Sequence, residues 1–346
     1  MSNVKDFLKR KDIVITPQRY LIEALGAMAQ GLFASLLIGT IIKTLGQQTG
    51  LETLVDLGGY ATAMSGPAMA VAIGWALHCP PLVLFSLVTV GYSSNALGGA
   101  GGPLAVLIIA IVAAELGKAV SKETRVDILV TPLVTIFAGV GLSMLIAAPI
   151  GAAASQVGTL IMWATEQAPF LMGILVSVIV GVALTLPISS AAICAALGLT
   201  GLAGGAAVAG CCAQMVGFAV MSYKENGVGG LVSQGLGTSM LQMPNILRNP
   251  RTWIPPTLAA AITGPIATCL FHLEMNGPAV SSGMGTCGLV GQIGVYTGWI
   301  ESGKAVTAFD WIGLVLICFV LPAVLSTIFC ELLRKKGWIK EGDLKL

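Results

Sequence analysis

The chain has 346 residues, of which 55% are hydrophobic and only 10% are charged, and its formal net charge is +2. A soluble domain carries about 25% charged residues, so the composition excludes a soluble enzyme and indicates a protein embedded in a lipid bilayer. The basic residues flank apolar runs instead of forming one patch, and no nucleic-acid partner is expected. The eight cysteines form no CxxC pair, so no metal or redox centre is expected either.

The first half of the chain predicts a basic leader followed by a group of spans. Residues 1–19 predict a short cytoplasmic amphipathic segment, and apolar runs at about 20–45, 57–77, 81–97, 103–120 and 128–146 predict membrane spans. The loop 118–127 is basic and is therefore expected on the cytoplasmic side. We expect residues 20–149 to form an N-terminal scaffold or dimerisation domain, and 150–168, which includes Glu166, to form an interfacial helix.

The second half predicts a transport domain, residues 169–333, and a cytoplasmic basic tail, 334–346. The apolar run 170–222 is interrupted by Pro187 and by glycines near 201–205, and further spans are expected at about 253–273 and 308–333. The Gly-rich stretches 227–243 and 277–297 predict re-entrant hairpins. The predicted fold is an all-α polytopic membrane protein with about ten membrane segments, two of them re-entrant, and both termini in the cytoplasm.

A single charged side chain, Glu274, lies between Trp253 and Trp299, with His272 two residues before it. A carboxylate in a membrane segment usually lines a polar path or a binding site. On a regular helix the two side chains would point about 200° apart, so they converge only if the helix ends near Asn276, which precedes Gly-Pro. The structural alternatives are that Glu274 reaches interfacial water and that His272 bonds its neighbours.

Amide side chains in the Gly-rich stretches are further candidates for binding a polar solute. They are Gln292 in one stretch, Asn226, Gln234 and Gln242 in the other, and Asn95 in the first half of the chain. The alternatives are close helix packing through small residues, a flexible cytoplasmic loop and, for Asn95, a turn. There is no Walker loop, HExxH or GxSxG motif, so no catalytic residue and no cofactor are predicted.

Two segments resemble a known family. The segment 249–256, NPRTWIPP, followed by a span and an acidic residue before a Gly-rich run, is similar to the membrane subunit (enzyme IIC) of phosphotransferase-system sugar permeases. The segment 124–132, TRVDILVTP, is similar to the middle of those proteins. The chain most resembles the stand-alone branch that includes PfoR-type proteins.

The resemblance implies a homodimer in the bacterial cytoplasmic membrane, with a sugar held in the C-terminal domain and a separate IIB-type phosphoprotein as a possible partner. It implies that the Glu274 carboxylate binds the hydroxyl groups of the sugar. It assigns no counterpart to the relatives' hairpin histidine, because residues 223–252 contain no His. We therefore expect a transporter of a small, sugar-like solute that works by alternating access and has no fused IIA or IIB domain. The alternatives are a IIC-like sensor that binds a ligand and signals, and a channel or exporter without phosphorylation.

Overall fold

The computed structural model describes residues 2–165 and 167–346, apart from the side chains of residues 2–5, 159, 162 and 196. These described residues form helices joined by turns and short extended segments. The chain divides into two compact units, Met1–Ala153 and Ala154–Leu346. The predicted domain limits at residues 149 and 168 remain predictions, and Glu166 lies outside the described residues.

The first unit consists of helices, the last of which continues across its boundary. They are α1 (Ser2–Arg10), α2 (Gln18–Thr49), α3 (Glu52–Ala63), α4 (Ser65–Ala76), α5 (Pro81–Gly98), α6 (Gly102–Val120) and α7 (Asp127–Thr165).

Helices α5 and α6 form a helical hairpin. Pro81 begins α5, where its missing N–H would have had no partner in any case. The chain reverses at Gly99, whose φ of +50° is a conformation that residues with a side chain rarely adopt. The two helices then pack against each other, so the 40-residue apolar helical stretch from Pro81 to Val120 is two antiparallel segments.

Two segments of this half differ from the expected pattern. The run 57–77, expected as one span, lies in α3 and α4, because the helix is interrupted at Met64 and Pro67 opens the first turn of the next helix. The part of the expected interfacial helix up to Thr165 is continuous with the preceding span, because α7 runs through Ser143–Ala147 without a break. Its position at the membrane interface stays a prediction.

The second unit consists of long helices separated by short helices and turns. The helices are α8 (Pro169–Thr185), α9 (Ser190–Leu197), α10 (Gly201–Met221), α11 (Tyr223–Val232), α12 (Met243–Arg248), α13 (Pro250–Leu270), α14 (Val290–Glu301) and α15 (Ala308–Lys335). Helix α15 begins with a capping box, in which the Thr307 N–H donates to Asp310 Oδ2 at 2.9 Å.

Helix α10 is the core of the second unit. In its most apolar 18-residue stretch, 94% of the residues are buried. The helix packs against α8, α13 and α15. The sequence GLAGGAAVAGCCAQMVGFAVM has small residues around the whole helix. Backbones can therefore approach it from every side, as in helix packing within membranes.

Six helical segments among the described residues are long and apolar enough to cross a bilayer. They are Gln18–Thr49, Pro81–Val120, Asp127–Thr165, Gly201–Met221, Pro250–Leu270 and Ala308–Lys335. The prediction of an all-α polytopic membrane protein is confirmed. The expected number of about ten membrane segments stays a prediction.

Candidate substrate site in the second unit

The chain leaves α13 at Leu270, turns at Phe271 and His272, and continues to Pro278 without helix, with a β-bridge at Met275. His272 helps end the helix, because its φ is +45°, an uncommon value for a residue other than glycine. The Leu273 N–H donates to the Ala267 carbonyl at 2.8 Å. Met275 exchanges two backbone hydrogen bonds, of 2.9 and 3.0 Å, with Gly201 at the start of α10. These bonds fix the segment against the N-terminus of the central helix.

The extended conformation places the three predicted polar residues on one face. Successive side chains of an extended chain point to opposite sides. His272, Glu274 and Asn276 are accordingly exposed, whereas Leu273 and Met275 between them are 3% and 0% exposed. On a helix the His272 and Glu274 side chains would point about 200° apart. Because these residues are not helical, both can be exposed on the same side.

A carboxylate and an amide form the centre of this exposed face. Asn276 Nδ2 donates to Glu274 Oε2 at 2.9 Å. The other carboxylate oxygen, Oε1, makes no hydrogen bond within the part of the chain that the structure describes, so it remains free to accept one. A carboxylate, an amide and an imidazole together can both accept hydrogen bonds from hydroxyl groups and donate to them.

A glycine in α10 makes room for the extended segment. A methyl group on Gly205 would clash with the Leu273 carbonyl. The neighbouring Gly204 would bring its methyl group to 3.2 Å from the Met275 carbonyl. The glycines predicted to interrupt the run 170–222 therefore lie at and just after the start of α10, where they admit the backbone that carries Glu274.

Three other predicted residues, Asn226, Gln234 and Gln242, form a separate cluster that binds the C-terminal tail. Asn226 Nδ2 and Gln242 Nε2 both donate to the Leu344 carbonyl, at 2.8 and 2.9 Å. Gln234 Oε1 accepts from Gln242 Nε2 at 2.8 Å. None of these amides is hydrogen-bonded to His272, Glu274 or Asn276 in the described residues. The tail, expected as a simple basic extension, is docked here.

The last two predicted residues lie elsewhere. Gln292 is 8% exposed on α14, and its Nε2 donates to Cys212 Sγ at 3.2 Å. Its Oε1 is buried and has no partner among the described residues. Asn95 belongs to the first unit, where its Nδ2 donates to Ser65 Oγ at 3.4 Å. Among the predicted residues, Glu274 is thus hydrogen-bonded to Asn276 and follows His272 on the same segment, whereas Gln292 and Asn95 make their hydrogen bonds with other residues.

The two Gly-rich stretches touch each other. Each contains short helical turns, Ser233–Gly237 and Ser239–Gln242 in the first, Ala279–Gly283 and Cys287–Leu289 in the second. Thr286 Oγ1 donates to the Gly235 carbonyl, which joins one stretch to the other. Both stretches are thus broken into short helical turns, and the re-entrant hairpins predicted for them stay a prediction.

A buried amide network on α10 was missed in the sequence analysis. Gln214 is 0% exposed, and its Oε1 accepts from Trp253 Nε1 at 2.9 Å and from Thr185 Oγ1 at 3.3 Å. Thr185 in turn bonds Ser239 Oγ at 2.7 Å, within the first Gly-rich stretch. The available signal was one amide in an otherwise apolar 21-residue span, since polar residues inside membrane segments are often functional.

These features define a polytopic helical membrane protein in which the helix before Glu274 ends and the carboxylate lies on non-helical backbone. The family described as "Phosphotransferase system, EIIC" matches residues 22–346. The chain therefore belongs to this family and is a sugar-permease-like membrane protein. No match was found among curated proteins or among solved structures. Its placement in the PfoR-type branch stays a prediction.

Proposed function

We propose that this protein carries a small, sugar-like solute across the membrane by alternating access and binds it at Glu274. The observation that carries the proposal is the common face of His272, Glu274 and Asn276 on an extended segment that follows a membrane span. Backbone that leaves the helix within a membrane is a recurring element of transporter binding sites.

The chemistry of this face suits a hydroxylated solute. Glu274 Oε1 can accept a solute hydroxyl, while Asn276, already bound to Oε2, holds the carboxylate in place. Hydrogen bonds to a charged group contribute about 1.5–3 kcal/mol each. His272 can donate or accept according to its tautomer. A sugar presents several adjacent hydroxyls and could use all three side chains.

The family suggests the remaining parts of the proposal. A homodimer, a location in the bacterial cytoplasmic membrane and cytoplasmic termini follow from the resemblance to enzyme IIC and from the positions of the basic residues. A separate IIB-type phosphoprotein would supply the phosphoryl group, and this chain would position the sugar. The Gly-rich stretches that meet at Thr286 and Gly235 would move with the solute.

A ligand screen on detergent-purified protein tests the site. Sugars, polyols and sugar acids are added to the wild type, to Glu274→Gln and to Glu301→Gln, and the unfolding temperature is measured. Glu301 is an exposed carboxylate on α14 and serves as the matched control. A ligand at 100 times its dissociation constant stabilises the protein by about 2.7 kcal/mol. We expect the shift in the wild type and in Glu301→Gln, and its loss in Glu274→Gln.

Uptake into proteoliposomes separates transport from the alternatives. Saturable uptake of the identified solute supports a carrier, and flux that does not saturate favours a channel. Binding without any flux favours a sensor. Normal binding by Glu274→Gln would show that the site assignment is wrong, whatever the flux.

A further inference from the structure

The first unit contains a charged pocket of about 440 Å³, far in the sequence from the Glu274 segment. It forms where three parts of the unit meet: the residues at and after the end of α1, the connection between α4 and α5, and the end of α6. Its charged lining residues are Arg10, Lys11, Asp12, Lys118, Lys122 and Glu123. Four cations against two carboxylates give the lining a formal charge of +2.

Two of the cations form the fixed part of the pocket. The Lys118 side chain is 2% exposed, and its Nζ donates to the carbonyls of Asp12 at 2.6 Å and Leu77 at 2.9 Å. The Lys11 side chain is 9% exposed and pairs with Glu123 at 2.5 Å. These lysines join the three parts of the chain. Lys118 is also paired with Glu115 at 3.1 Å, so carboxylates compensate both lysines and the charge available to a ligand comes from the other two cations.

The other two cations are available to a ligand. The Arg10 side chain is 63% exposed, and it uses a single guanidinium nitrogen to bond Glu123, at 2.9 Å. Lys122 is exposed, and its ammonium group makes no hydrogen bond or ion pair within the described residues. A guanidinium with free N–H groups beside a free ammonium is the donor set that phosphate oxygens prefer.

Three residues that line the pocket follow the ends of helices with a positive φ. Among the described residues, five other than glycine have a positive φ. Three of them, Asp12 at +52°, His78 at +56° and Lys122 at +62°, line this pocket. At Asp12 and His78 this conformation belongs to a helix C-cap, in which the Ile13 N–H donates to the Leu8 carbonyl and the Cys79 N–H donates to the Gly74 carbonyl, both at 2.9 Å. The pocket therefore forms where the ends of two helices and the start of a third come together with the loop after Val120.

We propose that this pocket binds a phosphate group, presented either by an anionic phospholipid headgroup or by a free phosphate. The pocket lies at the ends of the apolar helices α5 and α6, and basic pockets in such positions bind anionic headgroups. Arg10 and Lys122 contact the phosphate oxygens, while Lys118 and Lys11 hold the surrounding backbone.

The test uses the full-length protein in neutral detergent and measures thermal unfolding in two arms. The first arm adds phosphatidylglycerol, with phosphatidylcholine as the uncharged reference. The second adds inorganic phosphate, with chloride at equal ionic strength as the reference. The variants are Arg10→Gln, Lys122→Gln and both together. Arg125→Gln is the control, since Arg125 is an exposed cation of the same loop that does not line the pocket.

We expect the anionic ligand to raise the unfolding temperature of the wild type and of Arg125→Gln. The apparent dissociation constant should increase at least tenfold in the double variant. A response to phosphatidylglycerol alone identifies the headgroup as the source, and a response in both arms identifies the phosphate group itself. Equal weakening by Arg125→Gln, or no response in either arm, would overturn the proposal. Both substituted side chains are exposed, so the unliganded variants should unfold at the wild-type temperature. If one single variant unfolds at a lower temperature without ligand, the ligand response of the other single variant tests the proposal.

Discussion

Leu344→Ala should release the C-terminal tail from the second unit. Five hydrogen bonds join side-chain amides of residues 226–249 to the tail backbone, from the Trp338 carbonyl to the Leu346 N–H. Leu344 is central to this contact, because its side chain is 0% exposed and its carbonyl accepts from both Asn226 and Gln242.

The expected loss of docking free energy follows from the burial of the Leu344 side chain. Replacing a fully buried leucine by alanine costs about 2–5 kcal/mol. At 1.4 kcal/mol for each factor of ten, the ratio of docked to undocked tail should fall by at least about 30-fold. Leu346 offers a matched control in the same tail, because 49% of it is exposed and its side chain adds little to the docking.

Hydrogen exchange of the amides in residues 338–346, measured by mass spectrometry in detergent, reports this equilibrium. Leu344→Ala should lose at least about 30-fold in protection, whereas Leu346→Ala should change it by about twofold or less. Wild-type amides that exchange as fast as those of an unstructured peptide would refute the docked tail. Equal effects of the two substitutions would refute the role of Leu344.

Three further predictions concern packing and charge. Gly205→Ala should lower the stability by about 1–3 kcal/mol and weaken ligand binding, because the new methyl group meets the backbone that carries the site. Gly229→Ala, with open space around it, should be neutral or stabilising in the same thermal unfolding assay. Gln214→Leu should cost about 0.6–1.7 kcal/mol per lost hydrogen bond, whereas Gln292→Leu removes an unpaired buried oxygen and should cost less or stabilise. A hydrogen bond from Arg19 lowers the pKa of Asp12, so this pair stabilises the protein above about pH 4 and loses its effect as the pH falls through the folded-state pKa. The difference in unfolding temperature between wild type and Asp12→Asn should therefore narrow on acidification, and a constant difference would contradict the pairing.

The sequence was sufficient to select Glu274 as a candidate site residue, but not to predict its surroundings. Its isolation in an apolar region was sufficient to select it, because a charge in such surroundings is costly unless it has a use. The same reasoning could not show how His272 and Glu274 share a face. That depends on the segment being extended, and the extension is held by the bonds between Met275 and Gly201, which lie far apart in the sequence.

For the amides of residues 226–242, the contacts in the structure differ from those expected from the sequence. Asn226 and Gln242 were selected as solute ligands because amides in a glycine-rich membrane segment suit hydrogen bonding to hydroxyls. In the structure they bond the Leu344 carbonyl, 118 and 102 residues away. Composition indicates that an amide needs a partner, and it cannot distinguish a solute from a distant part of the same chain.

The sequence by itself determined the membrane class, the division of residues 81–120 into two helices and the interruption of the apolar run 170–222. These features depend on the length of apolar runs and on the backbone restrictions of proline and glycine, which act over a few residues. Only the tertiary structure decided which polar groups meet: Glu274 with Asn276, Gln214 with Trp253 and the tail with its amide cluster. The two longer-range contacts are set by helix packing between segments far apart in the chain, and even the near pair required the extended backbone that α10 holds in place.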